Sequence, residues 1–474
     1  MKTIKTDVAI IGAGTAGMAA WRTVNRAGLN AILIEGGPYG TTCARVGCMP
    51  SKLLIAAAEA AHGISSAAAF GIHIDGAVRI DGQEVMARVK GERDRFVGFV
   101  LDSVDHIAAD QKVRGCARFM SDTTLQVDDH TKIHASRIII ATGTSPNVPQ
   151  DYRAIGDRLV VNDDIFEWSD LPRSVLVVGV GVIGLEIGQA LSRLGVRVCL
   201  VNRSDGLGGI TDPDVRASAK AAFEAELDLR LETTVAGMNR VGDAVDVRLE
   251  STGKPPVTER YDFVLMAAGR HPNVSKLDLH NTSAVLNEKG MPQYDSNTLQ
   301  LGNTPIFIAG DVNGVLPLLH EAADDGRIAG EAAVSYPHVQ RVTRRAPMAV
   351  VFSDPQLAQA GIRYKDLPSG DVVFGEVDFA NQGRARVMLK NKGKLRVYAR
   401  RDDGRFLGAE MAGPGMEHIA HLLAWAAQQQ MTVSQMLAMP FYHPVVEEGL
   451  RTALRHAAAE VAHVPLSEPV VNSL

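Results

Sequence analysis

Cys43 and Cys48 stand in the run Gly40-Thr-Thr-Cys-Ala-Arg-Val-Gly-Cys-Met-Pro-Ser-Lys52. Thiols this close in sequence suit disulfide exchange, in which a thiolate attacks a sulfur of the partner bond. In regular helix, five residues rise about 7.5 Å, beyond the ~6.8 Å usual between Cα atoms of a bridged pair. A bridge therefore requires a distorted turn, which Gly47 or the glycines upstream can supply. Arg45 and a helix N-terminus would both favour a thiolate. On spacing alone, two unrelated buried thiols are the alternative. No neighbouring Cys or His cluster argues for a metal site. Cys116 and Cys199 lie in apolar strand-like stretches and read as free buried thiols.

The elements before the pair explain what it would react beside. Val8 to Ile11 reads as a strand, Gly12-x-Gly14-x-x-Gly17 as a tight turn, Thr15 to Ala27 as a helix and Ala31 to Ile34 as a second strand. Glycines at these places let backbone N–H groups and the positive helix end approach a pyrophosphate, and Glu35 is placed to accept hydrogen bonds from a ribose diol. The pair begins a few residues beyond Glu35, so it must lie near that dinucleotide. A second copy runs from Val175 through Gly179, Gly181 and Gly184 to a strand ending at Val201, and the interval Gly179 to Asn202 equals that from Gly12 to Glu35. Its ribose position is Asn202, with Arg203 next. A carboxylate there would favour NAD and an arginine would attract a 2′-phosphate, so neutral Asn beside Arg leaves the choice open.

Between the copies the periodicity predicts helices over Leu53 to His62 and Gly82 to Ile107, and short strands through Lys112 to Val127 and Ile138 to Ala141. After the second copy, a buried strand ends at Asp311 and a helix follows from His320 to Ala333. From Arg345 the pattern becomes α+β, with strands Ala349 to Phe352 and Lys394 to Ala399, then helices Glu417 to Gln430 and Val446 to Glu460. His443-Pro-Val-Val-Glu-Glu448 enters the last helix. A carboxylate can fix the tautomer of such an imidazole while it takes a proton from a thiol. The expected division is 1–150 and 273–344 for the first dinucleotide domain, 151–272 for the second, and 345–474 for a C-terminal domain.

With 474 residues, several cores are needed. Hydrophobic residues at 46% and charged ones at 22% suit an ordinary globular protein rather than a disordered one. A net charge of −5 offers no polybasic surface, which excludes nucleic acid and anionic membranes as expected partners. Four cysteines are too few for a disulfide-stapled secreted domain, so a reducing, cytoplasmic setting is expected. The apolar start resembles a signal peptide only until its glycines are read as a strand-turn-helix. No uncharged apolar run reaches the ~18 residues of a membrane span.

Taken together, these motifs resemble the dihydrolipoamide dehydrogenase branch of the flavoprotein disulfide reductases, which also includes glutathione and mercuric reductases. The resemblance rests on the cysteine run, Gly179-Val-Gly-Val-Ile-Gly-Leu-Glu186, Ala268-Gly269-Arg-His-Pro-Asn273, Phe307-Ile-Ala-Gly-Asp311, Ala380 to Arg386 and the terminal His443-Pro with Glu448. It implies two Rossmann-like α/β domains, for FAD and NAD (NADP being possible), and an α+β domain that makes a homodimer. It further implies that Cys43 meets substrate, that Cys48 meets the flavin, and that His443, oriented by Glu448, acts across the dimer interface. Lys52, Ala117, Thr142, Gly143, Asp311 and His320 become expected flavin contacts, and Glu186 is expected near the nicotinamide and Lys52. The implied reaction is oxidation of dihydrolipoamide on a lipoyl-carrying protein of a 2-oxoacid dehydrogenase or glycine cleavage complex. Departures from the pattern are Ala44-Arg45 inside the cysteine loop, Tyr442 and Val445 beside the histidine, and Asn202 at the ribose position. They motivate a rival, an NADPH-dependent reductase of another disulfide. A flavoprotein scaffold without turnover is the alternative from a different class.

Overall fold

The computed structural model describes residues 1–462, so the end of the expected C-terminal region 345–474 lies outside the described residues. In the first unit, β1 (Lys2–Ile11), α1 (Thr15–Arg26) and β2 (Ala31–Glu35) are followed by α2 (Thr42–Val46), α3 (Cys48–Ser66) and α4 (Gly82–Asp105). Then come β3 (Lys112–Arg114), β4 (Ala117–Ser121), β5 (Thr124–Val127), β6 (Thr131–Ile140) and β7 (Thr144–Pro146). β1 lies between β2 and β6, parallel to both, with Ile11 opposite Ile34 and Ile140. Val8 to Ile10 and Ile138 to Ile140 are wholly buried, as expected for parallel strands covered on both faces. This central place in a sheet makes β1 part of the folded core, against the signal-peptide reading.

The second unit contains β8 (Leu159–Val160), α5 (Asn162–Ile165), β9 (Ser174–Val178), α6 (Val182–Arg193), β10 (Arg197–Val201), α7 (Pro213–Glu224) and β11 (Asp228–Arg230). An antiparallel meander, β12 (Thr233–Val241), β13 (Ala244–Ser251) and β14 (Val257–Tyr261), precedes β15 (Phe263–Met266), which returns to the parallel sheet in the order β11-β10-β9-β15-β8. The chain then crosses back. β16 (Arg270–Pro272) pairs with β7, and β17 (Ile306–Ile308) joins β6 of the first sheet. The helix α8 (Leu319–Ser335) lies on α1 so closely that a Cβ at Gly326 would come within 2.1 Å of the Ala16 carbonyl oxygen.

The third unit is built on β18 (Met348–Val351), β19 (Gln356–Gly361), β20 (Val372–Asp378), β21 (Lys394–Arg400) and β22 (Phe406–Gly413), an antiparallel sheet ordered β18-β19-β22-β21-β20. Between β20 and β21 lies α9 (Gly383–Val387), and α10 (Met416–Gln428), α11 (Val433–Leu437) and α12 (Glu448–Glu460) follow. Two strands of the five were expected from the periodicity. β19, β20 and β22 are interrupted by polar and glycine residues that only the sheet partners accommodate. A Cβ at Gly375 would lie 1.9 Å from the Ala453 carbonyl oxygen, so α12 can seat on β20 only because that residue has no side chain.

The helical run Thr42–Phe70 is long and apolar enough by composition to cross a membrane. It includes Lys52 and Glu59, and α3 packs against α4 and α6.

Candidate active site

The backbone turn required of the cysteine loop is present. Thr41, at φ 57°, accepts the Ala44 N–H through its hydroxyl and starts α2, the short helix that carries Cys43. Gly47 ends it, and α3 begins at Cys48. A Cβ at Gly47 would sit 3.1 Å from the Thr42 carbonyl oxygen and 3.2 Å from the Cys43 Cα, so the two helical pieces fold together around a residue with no side chain. Cys48 thereby occupies the first position of a 19-residue helix, where the positive end of the helix favours a thiolate.

Both cysteines are in the thiol state, and they are not equivalent. The Cys48 thiol is lowered from its ordinary 9.0 to about 7, chiefly by a hydrogen bond from Cys43, with Lys52 assisting and burial opposing. The Cys43 thiol is pushed well above the ordinary range, first by that same hydrogen bond and then by burial. One proton therefore stays on Cys43 while negative charge collects on Cys48.

Lys52 lies one turn along α3. Its Nζ is 2.7 Å from Glu186 Oε2 and stands over the Phe352 ring at 4.5 Å from the centroid. Glu186 is 4% exposed, and its other oxygen accepts the Phe352 N–H at 2.9 Å. Sequence reasoning expected Lys52 and Glu186 near each other. It missed Phe352, because nothing in the Val-Phe-Ser-Asp run indicates where its ring will lie.

At the first turn, Gly12 has φ +108° and would press a Cβ to 2.3 Å from the Ala141 oxygen; at Gly17 a Cβ would meet the Gly12 oxygen at 1.9 Å. At Gly14 a Cβ would meet nothing within 4 Å. Gly14 caps α1 without a side-chain hydrogen bond, so the uncommitted N–H groups of the first turn face open space, where a pyrophosphate can be bound. The second turn repeats this, with Gly179 and Gly184 pressed against backbone and open space at Gly181. Both cradles fit dinucleotides. Glu35 takes the Ala13 N–H at 2.7 Å and the Gly37 N–H at 2.6 Å, which fixes its carboxylate beside the first turn.

Ala117 opens β4 beside this end of the cradle. Gly115 donates its N–H to the Glu35 carbonyl at 3.0 Å, and a Cβ at Gly36 would touch Cys116 Sγ. Cys116 is exposed, contrary to the expectation of a buried thiol, because it occupies the bend between β3 and β4 rather than a strand interior. Cys199 is buried as expected.

Asp311 follows β17 at a turn where a Cβ on Gly310 would meet the Ala16 Cβ at 2.8 Å, which brings it to the N-terminal part of α1. Burial raises its carboxyl above the usual range, against the pull of Arg270. Thr142 and Gly143 are tied to Asn273: the Thr142 hydroxyl donates to the Asn273 carbonyl at 2.7 Å, and the Asn273 N–H to the Gly143 carbonyl at 3.0 Å. Gly269 accepts the Asn147 N–H at 2.9 Å, joining the two crossover strands. His320 is the second residue of α8, half exposed, with Nε2 3.8 Å from Glu321.

Two further residues hold this region. Asp325, 1% exposed, accepts the Gly310 N–H at 3.1 Å and the Asn313 amide at 2.6 Å, and it pairs with Arg344. Asn162 donates to the Val46 carbonyl at 2.9 Å and accepts from Arg270, linking the cysteine loop to the Asp311 region. The only local signal for Asp325 is an acid embedded among the small residues of α8.

At the second ribose position the Asn202 amide is consumed by its own loop, donating to Ser204 and to the Gly206 carbonyl at 3.0 Å. Arg203 is exposed.

The His443 motif lies apart from the cysteines in the same chain, since α12 packs on β20 and β21, whereas α2 packs on α3, α4 and α5. His443 Nδ1 is 3.0 and 3.1 Å from the two Glu448 oxygens, and Glu448 also takes the Val445 N–H at 3.2 Å. These bonds hold the Glu448 carboxyl below its usual range. The imidazole is 80% exposed, and the bonded Nδ1 leaves Nε2 directed to the surroundings of the domain.

Two dinucleotide cradles beside an asymmetric thiol pair define an FAD-dependent oxidoreductase that acts on a sulfur group and uses NAD(H). Residues 6–326 match the model of the pyridine nucleotide-disulphide oxidoreductases, and residues 347–454 match that family's dimerisation domain. The chain belongs to this family, and it forms a homodimer through that domain. It is 28% identical to a dihydrolipoyl dehydrogenase of Bacillus subtilis over 96% of this chain and 99% of that one. It is likewise 28% identical to a dihydrolipoyl dehydrogenase of Haloferax volcanii over 97% of each. Its fold is similar to LpdA from Mycobacterium tuberculosis, with TM-score 0.81 and 24% identity over 95% of this chain and 99% of that one. It is also similar in fold to the HOCl-induced flavoprotein disulfide reductase RclA from Escherichia coli, with TM-score 0.78 and 23% identity over the same shares.

Proposed function

We propose that the protein is a dihydrolipoyl dehydrogenase, oxidising dihydrolipoamide carried on a protein of a 2-oxoacid dehydrogenase or glycine cleavage complex, with NAD+ as acceptor. The unequal cysteines carry this reading. With the pair oxidised, His443 of the other subunit takes a proton from one substrate thiol, and the resulting thiolate attacks the Cys43 sulfur. The Cys43–Cys48 bond breaks, and Cys48 leaves as the thiolate that Lys52 and the α3 N-terminus stabilise; a thiol of low pKa leaves faster. The second substrate thiol then attacks the substrate sulfur bound to Cys43, closing the product disulfide and returning its proton to Cys43. This ends with a Cys43 thiol beside a Cys48 thiolate, the state the hydrogen-bond pattern favours. Bound FAD supplies the route by which the electron pair passes from Cys48 to the nicotinamide. Gly12, Gly14, Gly17, Glu35, Ala117, Thr142, Gly143, Asp311 and His320 would hold FAD, and Gly179, Gly181, Gly184, Asn202 and Gly269 would serve the nicotinamide side.

The dihydrolipoyl dehydrogenases among the relatives support this choice of substrate. Exposed Arg203 favours a second reading, an NADPH-linked reductase of another disulfide, and Arg45 inside the cysteine loop agrees with it. Measuring kcat/KM for lipoamide and glutathione disulfide, each with NADH and NADPH, separates the two. Lipoamide with the NAD couple should lead; no turnover of lipoamide with either nucleotide refutes the proposal.

A further inference from the structure

A segment of the third domain reaches the redox centre. Phe352, Ser353 and Asp354 follow β18 and lie along a single face of α6, fastened at three levels. Glu186 accepts the Phe352 N–H at 2.9 Å. Gln189 accepts the Asp354 N–H and donates to the Asp354 carbonyl, each at 2.8 Å. Arg193 reaches the Asp354 carboxylate at 3.2 Å. Positions 186, 189 and 193 share a helix face, so the segment is held in register with the helix whose N-terminus forms the second dinucleotide cradle. The Phe352 ring thereby lies under the Lys52 ammonium, at 4.5 Å from its centroid. An aromatic face attracts a cation placed within about 6 Å of its centroid.

Building on the redox role of Cys43 and Cys48, we propose that Phe352 is a positioning residue of that centre: its ring seats the Lys52 ammonium while its amide anchors Glu186. The dimerisation domain thus sets the charge beside Cys48 as well as providing the catalytic histidine. The charged and titratable groups facing Cys48 are Cys43 from α2, Lys52 from α3 and Glu186 from α6. Of these, Lys52 favours the thiolate and Glu186 opposes it. Without the ring, Lys52 loses its seat above Phe352 and keeps its bonds to Glu186 at 2.7 Å and the Ser51 hydroxyl at 3.4 Å, both of which draw it from the sulfur, so less of its charge reaches Cys48. Phe352→Leu retains the backbone amide and an apolar side chain and removes only the aromatic face.

The test is a pH titration of the long-wavelength absorbance that a Cys48 thiolate gives against flavin in the two-electron-reduced holoenzyme. Phe352→Leu should raise the midpoint by roughly half to one pH unit, corresponding to about three- to tenfold less thiolate well below it. Phe352→Tyr should restore it. With Lys52→Gln already in place, Phe352→Leu should cause no further movement, since the ring then has no cation to hold. A midpoint unchanged by Phe352→Leu, or an equal movement with and without Lys52, overturns the proposal. If Phe352→Leu does not fold, Phe352→Tyr and Phe352→Met are read the same way, and equal midpoints in those two overturn it. Absence of the absorbance in the unsubstituted protein would instead refute the redox role of the cysteine pair.

Discussion

Replacing Cys43 with Ala removes the donor that contributes most to lowering the Cys48 thiol from its ordinary 9.0 to about 7. At about pH 7.5 a thiol titrating near 7 is roughly three-quarters thiolate, and one titrating near 9 is roughly one-thirtieth. The charge is present above the midpoint and lost as pH falls through it, so Cys43→Ala should move the loss of thiolate upward toward 9. Lys52→Met should move it the same way by less, since Lys52 ranks below both the Cys43 hydrogen bond and the opposing effect of burial. The assay is the thiolate-flavin absorbance followed against pH, in the reduced holoenzyme for Lys52→Met and without reduction for Cys43→Ala. Lys52→Met also leaves the Glu186 carboxylate, 4% exposed, with the Phe352 N–H as its remaining partner. Removing a partner from a buried pair is costly, and the one-third exposure of Lys52 reduces the loss to about 1–3 kcal/mol. The reasoning is refuted if Cys43→Ala leaves the midpoint in place, or if Lys52→Met moves it further than Cys43→Ala does.

Glu448→Gln should lower kcat for the dithiol substrate roughly ten- to hundredfold by loosening the His443 ring, with nucleotide KM unchanged. Steady-state kinetics showing less than a twofold effect would remove Glu448 as the orienting group. Arg203→Ala should weaken kcat/KM for NADPH and leave NADH alone; equal losses for both nucleotides would show that the guanidinium does not read a 2′-phosphate. Gly47→Ala inserts a methyl 3.1 Å from the Thr42 oxygen. It should slow closure of the intramolecular disulfide about tenfold, at a stability cost of about 1–3 kcal/mol. Thiol trapping with mass spectrometry measures the closure, and an unchanged rate would mean the loop does not depend on that close approach.

Much of the site was legible because its chemistry depends on short-range backbone geometry. A strand, a glycine turn and a helix N-terminus make a pyrophosphate cradle within about a dozen residues, and both copies appear where the glycines stand. The cysteine loop was legible for the same reason, since a bridge between Cys43 and Cys48 would require a distorted turn at Gly47 or the glycines upstream, and the helix breaks at Gly47. The C-terminal sheet was harder. β19 pairs with the distant β22, Leu357 opposite Ala412, and β20 is defined by what α12 lays on Gly375 rather than by alternation within the strand. Cys116 was misread because the apolar residues around it belong to two strands and the cysteine to the bend between them.

The amino-acid sequence by itself determined the two nucleotide cradles, the thiol pair and the pairing of His443 with Glu448, because each depends on residues close along the chain. Tertiary structure decided which cysteine keeps the proton, since that depends first on the direction of the hydrogen bond between the two thiols where α2 folds onto α3, and then on burial and Lys52. It also decided that Phe352 lies beneath the ammonium and that Asp325 takes the Gly310 N–H. These contacts join segments distant in sequence, and their energies depend on burial and on distances that no local pattern encodes.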